Sequence, residues 1–261
     1  MSDLIGKVTL ITGASSGIGA ATAIAFARLG AKLSLTGRNE ANLKRVSEEC
    51  ARVGPAGAAE QPLTVLADLC SEADVIRLVD TTTKKFGRLD VLVNNAGIFE
   101  VGSIETSSLE QYDRIMNVNV RSVYHLTMLC VPHLIVSRGN IVNVSSVFGT
   151  RSPVGVLSYA MSKSAIDQMT GCVALELAPK GVRVNSVNPG MIVTDLQQRA
   201  GITGDDYVKM VEHNREVHPL GRIGDAEEVA RAIAFLASSS ASFITGEHLH
   251  VDGGYHAVCM R

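Results

Sequence analysis

Charge of one sign is what this chain has little of: across 261 residues, 24 lysines and arginines stand against 26 aspartates and glutamates, a formal net charge of −2. With acids and bases interspersed, nothing calls for nucleic acid or an anionic membrane as a partner, and a small molecule fits better. No CxxC occurs. Cys50, Cys70, Cys130, Cys172 and Cys259 are odd in number and widely spaced, which reads as free thiols in a reducing compartment. The longest apolar region, around LTMLCVPHLIV, is too short to cross a bilayer. The opening MSDLIGKVTL has neither the apolar run of a signal peptide nor the arginine-rich pattern of a transit peptide. A cytoplasmic protein is the expectation.

What is present is ample apolar material, 46% of residues, and a length that suits one α/β domain spanning residues 1–261. Short β-branched runs (KVTLIT, AKLSLT, PLTVLA, LDVLVN, NIVNVS, VRVNSVN and HLHV) read as seven strands. Helical patterns fall between them, near 17–29, 39–53, 71–86, 108–136, 158–178 and 225–237. Strands separated by helices need right-handed crossovers, which build a parallel sheet covered on both faces. The fold class is therefore α/β, doubly wound. VGPAGAAEQP is a turn-rich surface loop before the third strand, and 195–224 is a longer excursion with its own helical pattern.

After the first strand comes TGASSGIG, with Gly13, Gly17 and Gly19. At a strand-to-helix turn, missing side chains let backbone approach a pyrophosphate while the helix N-terminus faces the anion. The spacing is GxxxGxG rather than the commoner GxGxxG. About 20 residues after the first glycine, an NAD site has an acid for the ribose hydroxyls, whereas an NADP site has a nearby arginine. Here SLTGRN puts Gly37 in the place of the acid, followed by Arg38. The expected cofactor is NADP(H) in preference to NAD(H).

Tyrosine and lysine are also scarce, five and eight in the chain, yet YAMSK sets Tyr159 and Lys163 one helical turn apart. Random placement would give about 0.15 such pairs, so the spacing alone is weak evidence. Together, TGASSGIG, NNAG at 94–97, NVSS at 143–146, YAMSK and NPGMIVT at 188–194 resemble, in order and spacing, the short-chain dehydrogenase/reductase family over essentially the whole chain. A serine thirteen residues before the tyrosine belongs to the same pattern.

That resemblance implies a Rossmann-type, mainly parallel seven-stranded sheet with helices on both faces. It implies a catalytic tetrad of Asn119, Ser146, Tyr159 and Lys163, with Asn117 a competing choice for the asparagine. The cofactor would lie along Gly13, Ser15, Ser16, Gly17, Ile18 and Gly19, and along Asn95, Ala96 and Gly97, while Asn94 ties strands together. Asp68, beside Leu69, resembles the residue that accepts a hydrogen bond from the adenine amino group. Pro189, Gly190, Ile192 and Thr194 resemble the segment that binds the nicotinamide carboxamide and pyrophosphate. Tyr159 and Lys163 would contact cofactor as well as substrate.

The chemistry follows from the pairing. A carbonyl reductase must deliver a proton to oxygen as hydride reaches carbon. A cation at about 4 Å, at an effective dielectric near 20, stabilises a phenolate by about 4 kcal/mol, roughly three pKa units. Tyr159 should then ionise close to neutrality. Ser158, as N-cap of its helix, would add the favourable end of the helix dipole. Ser146 can donate to the substrate oxygen, Lys163 can hold the nicotinamide ribose, and Asn119, by resemblance, anchors a water that passes protons.

Phe99, Phe148, Val154 and Val156 could line an apolar mouth, pointing to a lipophilic ketone or alcohol such as a steroid, isoprenoid or xenobiotic. The excursion at about 195–224 resembles a mobile substrate lid, with Gly201, Gly204 and Gly221 as hinges or simply turns. No metal site is expected: His248 and His250 share a strand face, but the resemblance implies that this last strand pairs between subunits. A homotetramer, or a dimer, would form, the tetramer built also on the 108–136 and 158–178 helices. Two rivals stand beside the carbonyl reductase. One is a 3-oxoacyl-thioester reductase, whose carrier-protein partner would need a basic surface such as Arg138 and Arg151 could form. The other is a noncatalytic dinucleotide sensor, disfavoured by the intact Ser146, Tyr159 and Lys163.

Overall fold

Each of the seven β-branched runs becomes a strand in the computed structural model, which describes residues 4–55 and 61–258. In chain order the elements are β1 (Val8–Ile11), α1 (Gly17–Arg28), β2 (Lys32–Gly37), α2 (Glu40–Val53), β3 (Leu63–Leu66) and α3 (Glu72–Phe86). There follow β4 (Val91–Asn94), α4 (Leu109–Met116), α5 (Ser122–Ser137), β5 (Asn140–Val144), α6 (Leu157–Leu177) and β6 (Arg183–Pro189). The last third holds β7 (Ile192–Val193), α7 (Leu196–Arg199), α8 (Gly204–Val217), β8 (Gly224–Asp225), α9 (Ala226–Ala237) and β9 (His248–Val251). Most of the expected loop before β3, and Cys259, lie outside the described residues. Cys50, Cys70, Cys130 and Cys172 are free thiols.

The sheet runs β3-β2-β1-β4-β5-β6-β9, with every pairing parallel. Period-2 alternation sends neighbouring side chains to opposite faces. Thus Ile11, Val91, Val93 and Val142 join Phe26, Leu43 and Ile233 in one core. Leu10, Leu92 and Ile141 join Leu78, Leu126 and Leu134 in the other. Both faces are dry, which is why these strands read as unbroken apolar runs. Strand order reverses at β1, which is flanked by β2 and β4, and a crevice opens outside the carboxyl ends of the strands at such a switch point. Among the described residues, no helix is long and apolar enough to cross a membrane.

Three details depart from the sequence expectation. The 108–136 helix is interrupted by a π-helical turn at Asn117–Arg121, between α4 and α5. The excursion adds a two-stranded sheet of β7 and β8, too short for a periodic signal. Ser158 is not an N-cap: α6 begins at Leu157, its N-cap is Val156 with no side-chain bond, and Ser158 is buried inside the first turn. Tyr159 still lies in that first turn, where the dipole acts.

Candidate active site

The glycine turn after β1 is shaped by what its neighbours leave free. Gly13 has φ +62°, and a Cβ there would sit 2.8 Å from Asn95 Nδ2. Gly19 bears directly on the turn, because a Cβ would meet Gly13 O at 2.3 Å. Thr12 pins the next strand alongside: its Oγ1 accepts from Asn95 N–H at 2.9 Å and from Ala96 N–H at 3.0 Å. Asn95 Nδ2 returns a bond to Thr12 O at 2.8 Å. Asn94 ties strands and helix together, donating to Asn143 Oδ1 at 2.9 Å and Thr127 Oγ1 at 3.1 Å.

A cleft of about 580 Å³ opens over this frame. Of the expected site residues, all line it except Gly19, which packs the turn, and Asn119, which lies behind the wall. Bare backbone at Gly13, Gly17 and Gly97 forms a cradle that side chains would fill: Cβ atoms would crowd Asn95, Thr194 and Asn119 respectively. That surface fits the pyrophosphate and ribose of a dinucleotide. Arg38, at the end of β2, lines the cleft, is exposed, and makes no salt bridge among the described residues. Asp68 spends Oδ1 on Cys70 N–H at 3.0 Å and remains exposed at the cleft edge.

The two asparagines of the π turn are placed differently. Asn119 is buried, with Oδ1 accepting from Ile98 N–H at 2.8 Å. Its Nδ2 donates to Ile98 O at 2.9 Å and to Ser162 Oγ at 3.0 Å. Asn117 has no such contacts and is only partly buried. Such turns within helices are frequently found at functional sites.

Ser146, Tyr159 and Lys163 converge on the cleft, all less than a tenth exposed. Burial pushes the Tyr159 phenol up to about 12, and a hydrogen bond with Ser146 pulls the other way. Burial lowers the Lys163 amine to about 8, with the Asp167 carboxylate opposing. Lys163 Nζ donates to Val144 O at 2.8 Å and lies 5.7 Å from the Tyr159 ring centroid. Burial thus opposes the ionisation near neutrality that the spacing alone suggests, and the Lys163 ammonium directs its bond at the β5 backbone. Ser145 Oγ fixes the helix here by donating to Lys163 O at 3.1 Å.

Phe99 packs edge-on to Tyr159 with ring centroids 5.0 Å apart. Phe148 and Val156 also line the cleft, and Val154 stands fully exposed at its rim. From the excursion, Met210 and Asn214 of α8 face in, and Arg199 of α7 donates to Ser16 Oγ at 2.8 Å. His248 and His250 are engaged by Ser186 Oγ at 2.8 Å and Thr150 Oγ1 at 3.1 Å.

Four residues that position this site escaped the sequence reading. Thr12 and Ser162 had a local cue, adjoining the first glycine and lying one turn from Tyr159. Tyr255 and His218 had none. Tyr255 sits under the Arg151 guanidinium, 4.8 Å from the ring centroid, and its ring lies 5.0 Å from that of His218. These partners are remote in sequence.

The family model described as enoyl-(acyl carrier protein) reductase matches residues 13–256. A 3-oxoacyl-acyl-carrier-protein reductase of Thermotoga maritima is 40% identical over 256 residues, 96% of this chain and 98% of its own length. An L-fucose dehydrogenase of Bos taurus is 38% identical, covering 95% of this chain and 89% of the relative. Among solved structures, a 3-ketoacyl-(acyl-carrier-protein) reductase of Brucella melitensis complexed with NADH is similar at a TM-score of 0.87 and 38% identity. That match covers 97% of this chain and 99% of the other.

Proposed function

Because the chain belongs to the short-chain dehydrogenase/reductase family, oxidoreductases that use a nicotinamide dinucleotide on small molecules, we propose that it is an NADPH-dependent carbonyl reductase, or the reverse alcohol dehydrogenase, for a lipophilic substrate. One observation carries this reading: a buried phenol, a hydroxyl and an ammonium meet in the same cleft as a bare-backbone phosphate cradle. The cofactor supplies the hydride. Tyr159, held protonated by burial, donates its proton to the carbonyl oxygen as that oxygen becomes an alcohol. Ser146, beside the phenol, would turn its single hydroxyl hydrogen to the same oxygen while charge develops on it.

Lys163, bonded to Val144 O, would hold the nicotinamide ribose when the cofactor is bound and return a proton to the phenol. Asn119 Oδ1 keeps a second lone pair beyond its bond to Ile98, which can hold a relay water. The cofactor-binding set is the glycine turn with Ser15, Ser16 and Ile18, then Asp68 and Leu69, the 95–97 stretch, and Pro189 to Thr194.

Arg38 supports NADPH over NADH, since a bidentate guanidinium at this place pairs with a 2′-phosphate and no acid is there to hold free hydroxyls. Arg38→Ala should weaken NADPH binding about tenfold or more while leaving NADH binding near its starting value, judged against the 1.4 kcal/mol that a tenfold change represents. Fluorescence titration of both reduced cofactors measures this. An unchanged NADPH affinity removes the preference.

A 3-oxoacyl-thioester substrate is the second reading, favoured by the likeness to the Thermotoga maritima reductase. Arg138 and Arg151 do not support it: one precedes β5 and the other follows it, off opposite ends of the strand, and Arg151 is engaged by Tyr255. The apolar wall of Phe99, Phe148, Val156 and Met191 supports the lipophilic ketone. Turnover with a panel of ketones, sugars and 3-oxoacyl thioesters separates the two. Tyr124 and Met128 on α5 and Leu175 on α6 leave apolar surface exposed, which supports a homotetramer or dimer, readable by light scattering.

A further inference from the structure

Within residues 195–224 a single side chain is buried: His218, 2% exposed, at the C-terminal cap of α8. Its ring has a defined proton arrangement. Nδ1 lies 2.5 Å from Asn214 O, and since a carbonyl only accepts, Nδ1 bears the hydrogen. Nε2 therefore offers its lone pair, and Met191 N–H donates to it at 3.2 Å. The same nitrogen occupies space that Gly190 leaves open, because a Cβ there would meet Nε2 at 2.6 Å. The ring also stacks on Tyr255, 17° from parallel. One imidazole thus joins the last turn of α8 to the backbone just past β6.

We propose that His218 is a positioning residue that couples the 195–224 lid to the segment 189–194, resting on the reading that this segment holds the nicotinamide end of the cofactor. No other side chain of the excursion is buried, so α8 has little else to fix its place. With residues 189–194 held by cofactor, the Met191 N–H would stay on Nε2 and α8 would be kept over the cleft. Met210 and Asn214, which α8 carries on its cleft-facing side, then complete the substrate pocket. By reciprocity, a substrate that holds the lid closed tightens cofactor binding through the same imidazole. The coupling predicts an ordered preference, with cofactor first and substrate second.

Two isosteric truncations separate the ring's two bonds. The Gln side chain places its terminal amide near Nε2, whereas Asn is shorter and keeps only the donor near Nδ1. Lys209 and Arg215 give exposed tryptic sites in α8. Limited trypsin digestion of the unaltered chain, His218→Gln and His218→Asn, each with and without saturating NADPH, reads the coupling as the ratio of the two cleavage rates. A purely structural loss would alter both rates together and leave that ratio alone.

NADPH is expected to slow cleavage about tenfold in the unaltered chain and in His218→Gln, but not in His218→Asn, within the usual range of a coupling factor. KM for the ketone should rise by a similar factor in His218→Asn, with kcat within about threefold. Full protection and an unchanged KM in His218→Asn would overturn the proposal. So would an unaltered chain that binds NADPH by fluorescence titration yet shows no protection. Failure to bind any nicotinamide dinucleotide would instead remove the cofactor reading on which the coupling rests.

Discussion

Helix α6 buries nine of its 21 residues, whereas α8 buries none of its 14. Both contribute to one cleft, and the contrast divides their tasks. On α6, Tyr159 and Lys163 are fixed by packing and by a chain of bonds. Ser145 holds the Lys163 carbonyl, Ser162 donates to Tyr159 O at 2.7 Å, and Asn119 holds Ser162. Proton transfer tolerates little misplacement, so its groups belong on an element that cannot shift without opening the core. On α8, exposed helix gives local opening a small free-energy cost, which suits the proposed lid, a segment that would admit and release substrate. Under the proposed reading, stability and mobility are allotted to different helices of one site.

The sharpest way to break this division is Tyr159→Phe. The variant keeps the ring and its edge contact with Phe99 but has no proton to give, so turnover should fall by about 10²–10⁴. Denaturation midpoint and NADPH affinity should stay near those of the unaltered chain. Retained turnover in steady-state assays would show that the buried phenol is packing, and α6 would lose its chemical task.

Lys163 offers a second, smaller test, in stability rather than rate. Its amine titrates at about 8 in the fold, below its ordinary 10.5. Between those values the unfolded chain binds the extra proton, so the Lys163 contribution to stability should rise as pH climbs from 8 to 10.5, with the burial penalty fully present below 8, while the buried Cys50 and Cys130 thiols, pushed up by burial, pull the other way above 9. The span corresponds to about 3 kcal/mol. Lys163→Met should abolish turnover and flatten that rise. Losing the bond to Val144 O costs about 1–3 kcal/mol in its own right, so the informative quantity is the difference between urea midpoints at pH 7.5 and 10. An equal rise in both proteins would place the titration elsewhere.

The strands were legible because burial on both faces forces continuous β-branched runs, and LDVLVN or NIVNVS cannot pack otherwise. The candidate site was legible where its residues cluster in motifs: TGASSGIG, NNAG, NVSS and YAMSK each bring several groups to one cleft. What escaped depends on distance in space. The π turn at Asn117–Arg121 shifts the helical phase by a single residue between two short apolar patterns, too little to separate from one continuous helix in a window of that length. The ionisation of Tyr159 depends on how deeply it is buried, which i,i+4 spacing does not encode. His218 reaches Met191 across 27 residues, and Arg151 reaches Tyr255 across 104. Such pairs exist only once the excursion and the C-terminal turn fold back over the cleft.

The mildest substitution probes the other side of the comparison. Val208 on α8 is 51% exposed and belongs to neither hydrophobic core. Removing two methyl groups from a buried position would cost well over a kilocalorie, through lost transfer energy and the cavity left behind. At Val208 neither term applies in full, because water already covers much of the side chain and no packed shell surrounds it. Val208→Ala should therefore change unfolding free energy by no more than about 0.5 kcal/mol. Urea denaturation with a two-state fit measures it. A loss of about 2 kcal/mol or more would mean that α8 packs as core in solution, and a helix so held could not serve as the movable wall of the pocket.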